Sequence, residues 1–389
     1  MAHNYYQKRG GEDVSFESEV KLLSSHGNDV VQYTKTNSEI QSSGLINHFR
    51  LAANTIWSND SFEQLSTLIK KEKPAITHFQ NTFPLISPSV YKACKENKVP
   101  VIQTLRNYRL LCPNGLFFRD GHVCEDCLIS ASPLPGLIHK CYRGSFSATA
   151  TVVLMLLYHN LRKTWTKEID LFIALTEFSR QKFLEAGYSP EKVVVKPNFL
   201  SDPGLGKQPG EYVVFIGRLS KEKGITTLLS AWDQLQSIPL VIVGEGPLKN
   251  VVMEKLKERT EIKLIDQLPH EKVIEIIKDS KFLIFPSEWY ETFGRVLIEA
   301  NACGKTCIAS RIGAIQDLVN DGETGLFFEP GNSQDLAKKV LDLWESPTKI
   351  IEMGEKARSK FEMGYSPERN YKKLMKIYDL VLDKNPSLQ

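Results

Sequence analysis

The chain has 389 residues, 42% apolar and 24% charged, which is the make-up of a globular protein with room for two sizeable cores. Its formal net charge of +3 is too small to argue for a nucleic-acid partner. Residues 1–200 carry 23 Lys+Arg against 18 Asp+Glu, and the remainder 26 against 28. The mild basicity of the first half suits a surface facing anionic lipid or substrate, and is equally what chance would give. The opening Met1-Ala-His-Asn-Tyr-Tyr-Gln-Lys8 lacks the apolar stretch of a secretory signal. A cytoplasmic protein, peripheral at the inner face of a membrane, is the expectation.

In chain order, Ala75–Phe79, Val99–Leu105 and Leu171–Leu175 read as buried strands in the first half. Tyr212–Ile216, Leu240–Val243, Ile262–Ile265, Phe282–Phe285 and Thr306–Ala309 do so in the second. Near-continuous apolar runs alternating with amphipathic helical patterns indicate open parallel sheets covered on both faces. Two such sets imply two doubly wound α/β domains. The expected division is a first domain over 1–200, a second over 210–365, and a last helical stretch over 366–389 that packs back across the first. The boundary is expected in Pro197–Pro209, where Asp202-Pro-Gly-Leu-Gly-Lys-Gln-Pro209 is dense in Gly and Pro. A domain of this kind starts with an apolar strand feeding a Gly-rich turn, yet only Met1–Tyr6 precede Lys8-Arg-Gly-Gly-Glu12. The first strand is therefore expected to be very short or missing.

Phe146–Tyr158, flanked by Arg143, Arg162 and Lys163, is shorter than the roughly 20 apolar residues of a spanning helix. It reads as a core helix or as one that dips into a membrane surface. Four of the seven cysteines, Cys112, Cys124, Cys127 and Cys141, fall in a loop-like insertion. The Cys124-x-x-Cys127 pair with two outlying thiols suits a tetrahedral structural zinc. Free thiols are the alternative, and a disulfide is least expected inside cells. Cys94, Cys303 and Cys307 sit in apolar patterns and read as core.

The chemistry gathers in the second half. Gly217-Arg-Leu-Ser-Lys-Glu-Lys-Gly224 follows the strand Tyr212–Ile216, and ligands in open parallel sheets collect beyond the carboxyl ends of strands. Arg218 and Lys223 would neutralise a diphosphate there, Arg by a forked contact and Lys as a point charge. Gly244-Glu-Gly-Pro247 is a second Gly-rich turn at the same edge. After Phe282–Phe285, Glu291 and Glu299 flank Phe293-Gly294, and Gly304 closes the helix. Gly294 lets backbone N–H groups approach a phosphate at a helix start. Glu299 is placed for ribose hydroxyls and Glu291 for hydroxyls of a donor sugar.

These motifs resemble the retaining glycosyltransferases of the GT-B fold, the group 1 set also called family four. The resemblance rests on Glu291 and Glu299, Gly217-Arg218 with Lys223-Gly224, Gly244-Glu-Gly-Pro247 and Gly322-Glu-Thr-Gly-Leu326. In the first half it rests on Tyr5-Tyr-Gln-Lys-Arg-Gly-Gly-Glu12, Asn81-Thr-Phe-Pro84 and Leu110-Leu-Cys-Pro-Asn-Gly115. It implies two Rossmann-like domains facing across a cleft and a UDP- or GDP-sugar donor. It also implies a saccharide or lipid-linked acceptor and no required metal. No Asp-x-Asp pair occurs in the sequence, so the metal-clamped alternative lacks its usual ligands. By the resemblance, Arg218 and Lys223 stabilise the departing diphosphate. Gly217, Glu245, Gly246, Phe293, Gly294, Arg295, Val296 and Glu299 hold the donor. Gly10 and Gly11 bring the first domain's backbone onto it after closure.

One residue departs from the pattern. Arg106, in Thr104-Leu-Arg-Asn-Tyr-Arg109, stands where many members carry a His that reaches the donor sugar. An arginine is no base at neutral pH, so the position would serve binding. His78 could fill in, although a core histidine is the plainer reading. A sugar-nucleotide-binding protein without catalysis is the alternative function. A nucleic-acid zinc module is disfavoured, because no Lys/Arg-rich stripe accompanies Cys112–Cys141.

Overall fold

The computed structural model describes residues 1–7, 9–40, 44–235 and 237–384. Lys8 of the expected first turn lies outside them. The chain divides into two compact units, one of Met1–Phe117, Glu125–Pro197 and the chain from Asn370 on, the other of Phe118–Cys124 and Asn198–Arg369.

The first unit is built on six parallel strands: β1 (Ala2–Tyr5), β2 (Tyr33–Thr36), β3 (Thr77–Asn81), β4 (Val101–Leu105), β7 (Leu171–Ala174) and β8 (Val193–Val195), in the order β2-β1-β3-β4-β7-β8. The first strand is four residues long, pairs on both sides, and buries Ala2, His3 and Asn4. It carries polar residues where an apolar run is usual: Asn4 donates to Asn37 Oδ1 at 2.8 Å, and His3 meets Asp13 at 2.8 Å. β5 (Phe118–Arg119) and β6 (His122–Val123) form a separate antiparallel hairpin. Side chains of the helix Pro367–Asp383 complete the first core, where Leu374, Ile377, Tyr378 and Val381 pack with Leu23, Ile102, Leu171 and Ile173.

The second unit is also a six-stranded parallel sheet: β9 (Tyr212–Ile216), β10 (Leu240–Val243), β11 (Ile262–Ile265), β12 (Ser280–Phe285), β13 (Cys307–Ser310) and β14 (Gly325–Phe328), in the order β11-β10-β9-β12-β13-β14. Numbered within the unit this is 3-2-1-4-5-6, the doubly wound order whose switch point lies between its first and fourth strands, β9 and β12. Trp232, Leu336, Val340 and Leu343 press helices onto Ile242, Phe282 and Ile284 of the sheet.

Every strand expected from an apolar run is present, with ends shifted by up to two residues. The strands not anticipated by such runs include β2, β8 and β14, which lie at sheet edges. β2 is the polar Tyr33-Thr-Lys-Thr36 and β8 is only three residues long. Among the described residues, no helix is long and apolar enough to cross a membrane.

Candidate active site

Three turns meet at the carboxyl ends of β10, β9 and β12. Their backbones touch: Gly217 N–H donates to Val243 O at 3.0 Å, Leu219 N–H to Glu245 O at 2.9 Å, and Glu288 N–H to Glu222 O at 2.9 Å. Such closeness requires glycine at three points, one of them Gly246, where a Cβ would lie 2.4 Å from Leu219 O. Gly224, at φ +70°, would place a Cβ 1.9 Å from Pro286 O. Gly244, at φ +147°, would place one 2.0 Å from Gly217 O. The glycines of the two expected turns thus bind the turns to each other and to the loop after β12.

That packing puts Lys223 and Glu291 together at the β9–β12 switch. The Lys223 ammonium pairs with Glu291 Oε1 and lies 5.1 Å from the centre of the Trp289 ring. The same oxygen accepts from Ser287 Oγ at 2.8 Å and Trp289 Nε1 at 2.9 Å. Glu291 is buried at 5% exposure, so its position is set by these donors and not by solvent. Arg218 and Glu245 project from the neighbouring turns and are exposed. Glu288 forms a second link, accepting from Thr227 Oγ1 at 2.5 Å, and burial raises its pKa.

Glu299 lies on the helix Arg295–Ala302, whose N-cap is Gly294. It is buried, accepts from Arg295 Nε at 2.9 Å and lies 3.6 Å from His270 Nδ1. Arg295 Nη1 is buried with no hydrogen-bond partner among the described residues, leaving a donor beside the helix start. Val296 is half-buried in the same turn. Phe293 is buried with its ring 6.2 Å from that of Tyr365, so it offers a ligand its backbone and not its ring. Sequence patterns did not single out the partners Ser287, Trp289, Thr227 or His270. Ser287 and Trp289 stand within four residues of Glu291, which is the only available signal; His270 carries none.

In the first unit, Gly10 caps the helix Gly11–Ser25, and its N–H donates to Asp13 Oδ2 at 2.9 Å. A Cβ at Gly10 or Gly11 would meet nothing within 4 Å, so the surrounding protein leaves open space there. Arg106 is buried. It donates to Gln80 Oε1 at 2.8 Å and lies 3.5 Å from Glu19 Oε2. Lys196 and His78 approach the same carboxylate at 3.6 Å each. Burial alone would raise the Glu19 pKa, but Lys196, His78 and Arg106 outweigh it and hold the carboxyl below its usual range. Burial pushes His78 down to about 3, so its ring is neutral at pH 7 and cannot serve as an acid there. It is held by Tyr378 Oη at 2.9 Å and Thr104 Oγ1 at 2.7 Å. Arg106 also borders a small cavity of about 50 Å³, which Asn81, Gln103 and Arg109 line with it.

Of the four clustered cysteines, Cys112, Cys127 and Cys141 fall in the first unit and Cys124 in the second. Among the described residues, no three His, Cys, Asp or Glu side chains form a group that would hold a metal ion. Cys112 is buried and donates to Asn114 Oδ1 at 3.0 Å, whereas Cys124, Cys127 and Cys141 are half-buried.

Comparison with known proteins agrees with this layout. Residues 201–360 match the family model for glycosyl transferases group 1. A similar protein is the uncharacterized 42.6 kDa protein in the cps region of Klebsiella pneumoniae, 26% identical over 295 residues, 74% of this chain and 71% of that one. Another is the N-acetyl-alpha-D-glucosaminyl L-malate synthase of Bacillus anthracis, 28% identical over 179 residues. That match takes in 44% of this chain and about half of the synthase, 47%. Among solved structures, a glycosyltransferase from Rickettsia africae superposes with a TM-score of 0.70 over 98% of both chains at 17% identity. Anabaena HepE, solved with UDP-glucose, superposes with a TM-score of 0.65 over 97% of this chain and 99% of that one at 16% identity. These likenesses establish the GT-B fold. Over residues 201–360, nearly all of the second unit, the chain thus matches the group 1 glycosyl transferases, and as a whole it has the GT-B fold.

Proposed function

We propose that the protein moves a sugar, with retention of configuration, from a UDP- or GDP-sugar to a saccharide or lipid-linked saccharide in polysaccharide biosynthesis. The observation that carries this reading is the Lys223–Glu291 pair at the β9–β12 switch, with Arg218 exposed on the adjoining turn. As the bond from sugar to diphosphate breaks, negative charge grows on the leaving oxygens. Arg218 and Lys223 supply the countercharge, so the step needs no metal. Glu291, fixed by Ser287 and Trp289, holds donor-sugar hydroxyls, and Glu299 holds the ribose. The acceptor hydroxyl attacks the face the nucleotide leaves and passes its proton to the departing diphosphate. The fold relative solved with UDP-glucose supports a UDP-sugar as the first donor to try.

The test is a panel of UDP-, GDP- and ADP-sugars, read by thermal shift and by release of nucleoside diphosphate. One donor class should stabilise the protein. Lys223→Ala should lower turnover on the order of 10²- to 10³-fold. Glu299→Ala should weaken nucleotide affinity, and Glu291→Ala should act mainly on turnover. Full activity in both glutamate variants would refute the site assignment. Binding without turnover for any donor and acceptor would instead favour a sugar-nucleotide-binding protein. One observation leans that way: the Arg106 guanidinium is taken up by Gln80 and Glu19.

A further inference from the structure

The first unit carries an apolar surface made of residues outside the candidate site described above. The helix Leu45–Ile56 packs on the helix Phe146–Leu161, which packs on the short helix Leu134–Ile138, and that one on Asp126–Ile129. Helix Phe146–Leu161 buries Val152, Val153, Met155 and Leu156. Its outward side presents Phe146, Leu154, Tyr158 and Leu161, spaced by eight, four and three residues and therefore on one stripe. The neighbouring helices add Ile46 and Phe49, Leu134 and Ile138, and Ile129. Phe49 is 76% exposed, Ile138 75%, Ile129 80% and Leu161 83%. Large apolar side chains this exposed on adjoining helices mark an interaction surface.

The charge pattern selects the partner. From Cys127 to Lys167 the sequence contains no Asp or Glu, while Lys140, Arg143, Arg162, Lys163 and Lys167 are all exposed. Arg50 is the only Asp, Glu, Lys or Arg on the helix Leu45–Ile56, and it too is exposed. We infer that this face docks on an anionic lipid bilayer, with the apolar side chains entering the boundary between headgroups and acyl chains and the basic ones meeting lipid phosphates. A second copy of the chain fits less well, because a two-fold contact would set this basic rim against itself. The inference does not rest on glycosyl transfer, and its readout is binding.

The experiment floats the full chain with vesicles of phosphatidylcholine, with and without phosphatidylglycerol. Binding is expected only where phosphatidylglycerol is present, and high salt should release it. Phe49→Ser with Leu161→Ser, and separately Lys163→Glu with Lys167→Glu, should each weaken binding roughly ten-fold or more. All four positions are exposed, and an unchanged Tm confirms that both variants fold. Failure to float with either vesicle overturns the inference, as does equal binding by wild type and both variants. A solution dimer that Phe49→Ser with Leu161→Ser dissociates, without vesicle binding, assigns the face to a second copy instead.

Discussion

Glu19 and Glu291 are both buried carboxylates with a lysine partner, but their settings differ. Glu19 lies among Lys196, Arg106 and His78, and the cluster is closed from the far end of the chain, since Asn370 accepts from Lys196 at 2.8 Å and Tyr378 meets His78. Glu291 lies among turns whose glycines hold backbone against backbone, and Arg218 stands exposed on one of them. In the first unit, charge joins elements distant in sequence. In the second, it is gathered at the mouth of a sheet where a ligand would bring the opposite charge. A buried ion pair therefore identifies a reaction site only when the groups beside it are reachable.

Three experiments can break or sharpen that contrast. Glu19→Ala leaves two buried cations unneutralised and should cost about 3–5 kcal/mol of stability. A urea titration of the full chain would show it, and a loss below about 1 kcal/mol would mean the cluster does not support the fold. The second is acid. Unfolded histidine takes up a proton near pH 6.5 and folded His78 only near 3, so the folded state binds fewer protons in that window. Stability should fall as pH drops through it, and the depressed Glu19 pKa acts in the same direction. At pH 5 the His78 share is about 2 kcal/mol. His78→Gln should flatten the slope between pH 7 and 5, and an unchanged slope would count against a neutral buried ring. The smallest effect is expected for Ser287→Ala, which removes one hydrogen bond to Glu291 while Trp289 and Lys223 remain. Turnover should fall by about 1 kcal/mol in the barrier, roughly five-fold, with Tm nearly unchanged. Lost stability at full turnover would make the Glu291 pair a structural device like Glu19.

How far each feature could be read from sequence follows from its physics. Central strands such as Tyr212–Ile216 and Leu240–Val243 are covered on both faces, so their apolar runs mark them to the residue. The polar edge strand Tyr33–Thr36 has no such run, and its pairing with β1 is a long-range outcome. The β9–β12 site was legible because its glycines and charges lie in short segments after strands. The glutamate partners were less so: His270 reaches Glu299 only through the placement of another helix. Glu19 gives no warning at all, since a lone glutamate in a helix reads as a solvated face until the sheet beneath it supplies Arg106 and Lys196. The Cys124-x-x-Cys127 spacing suits a structural zinc, but spacing in sequence does not say where Cys112 and Cys141 aim.

The helix Pro367–Asp383 carries a further consequence. Its residues from Asn370 on belong to the first unit, filling its core beside Ile102 and Ile173 and bonding Lys196. On the ribosome they are made only after residues 198–369, the bulk of the second unit, have emerged. The second unit can therefore close its core while the first still lacks one wall. The first unit, although translated earlier, cannot complete its core before that helix has emerged.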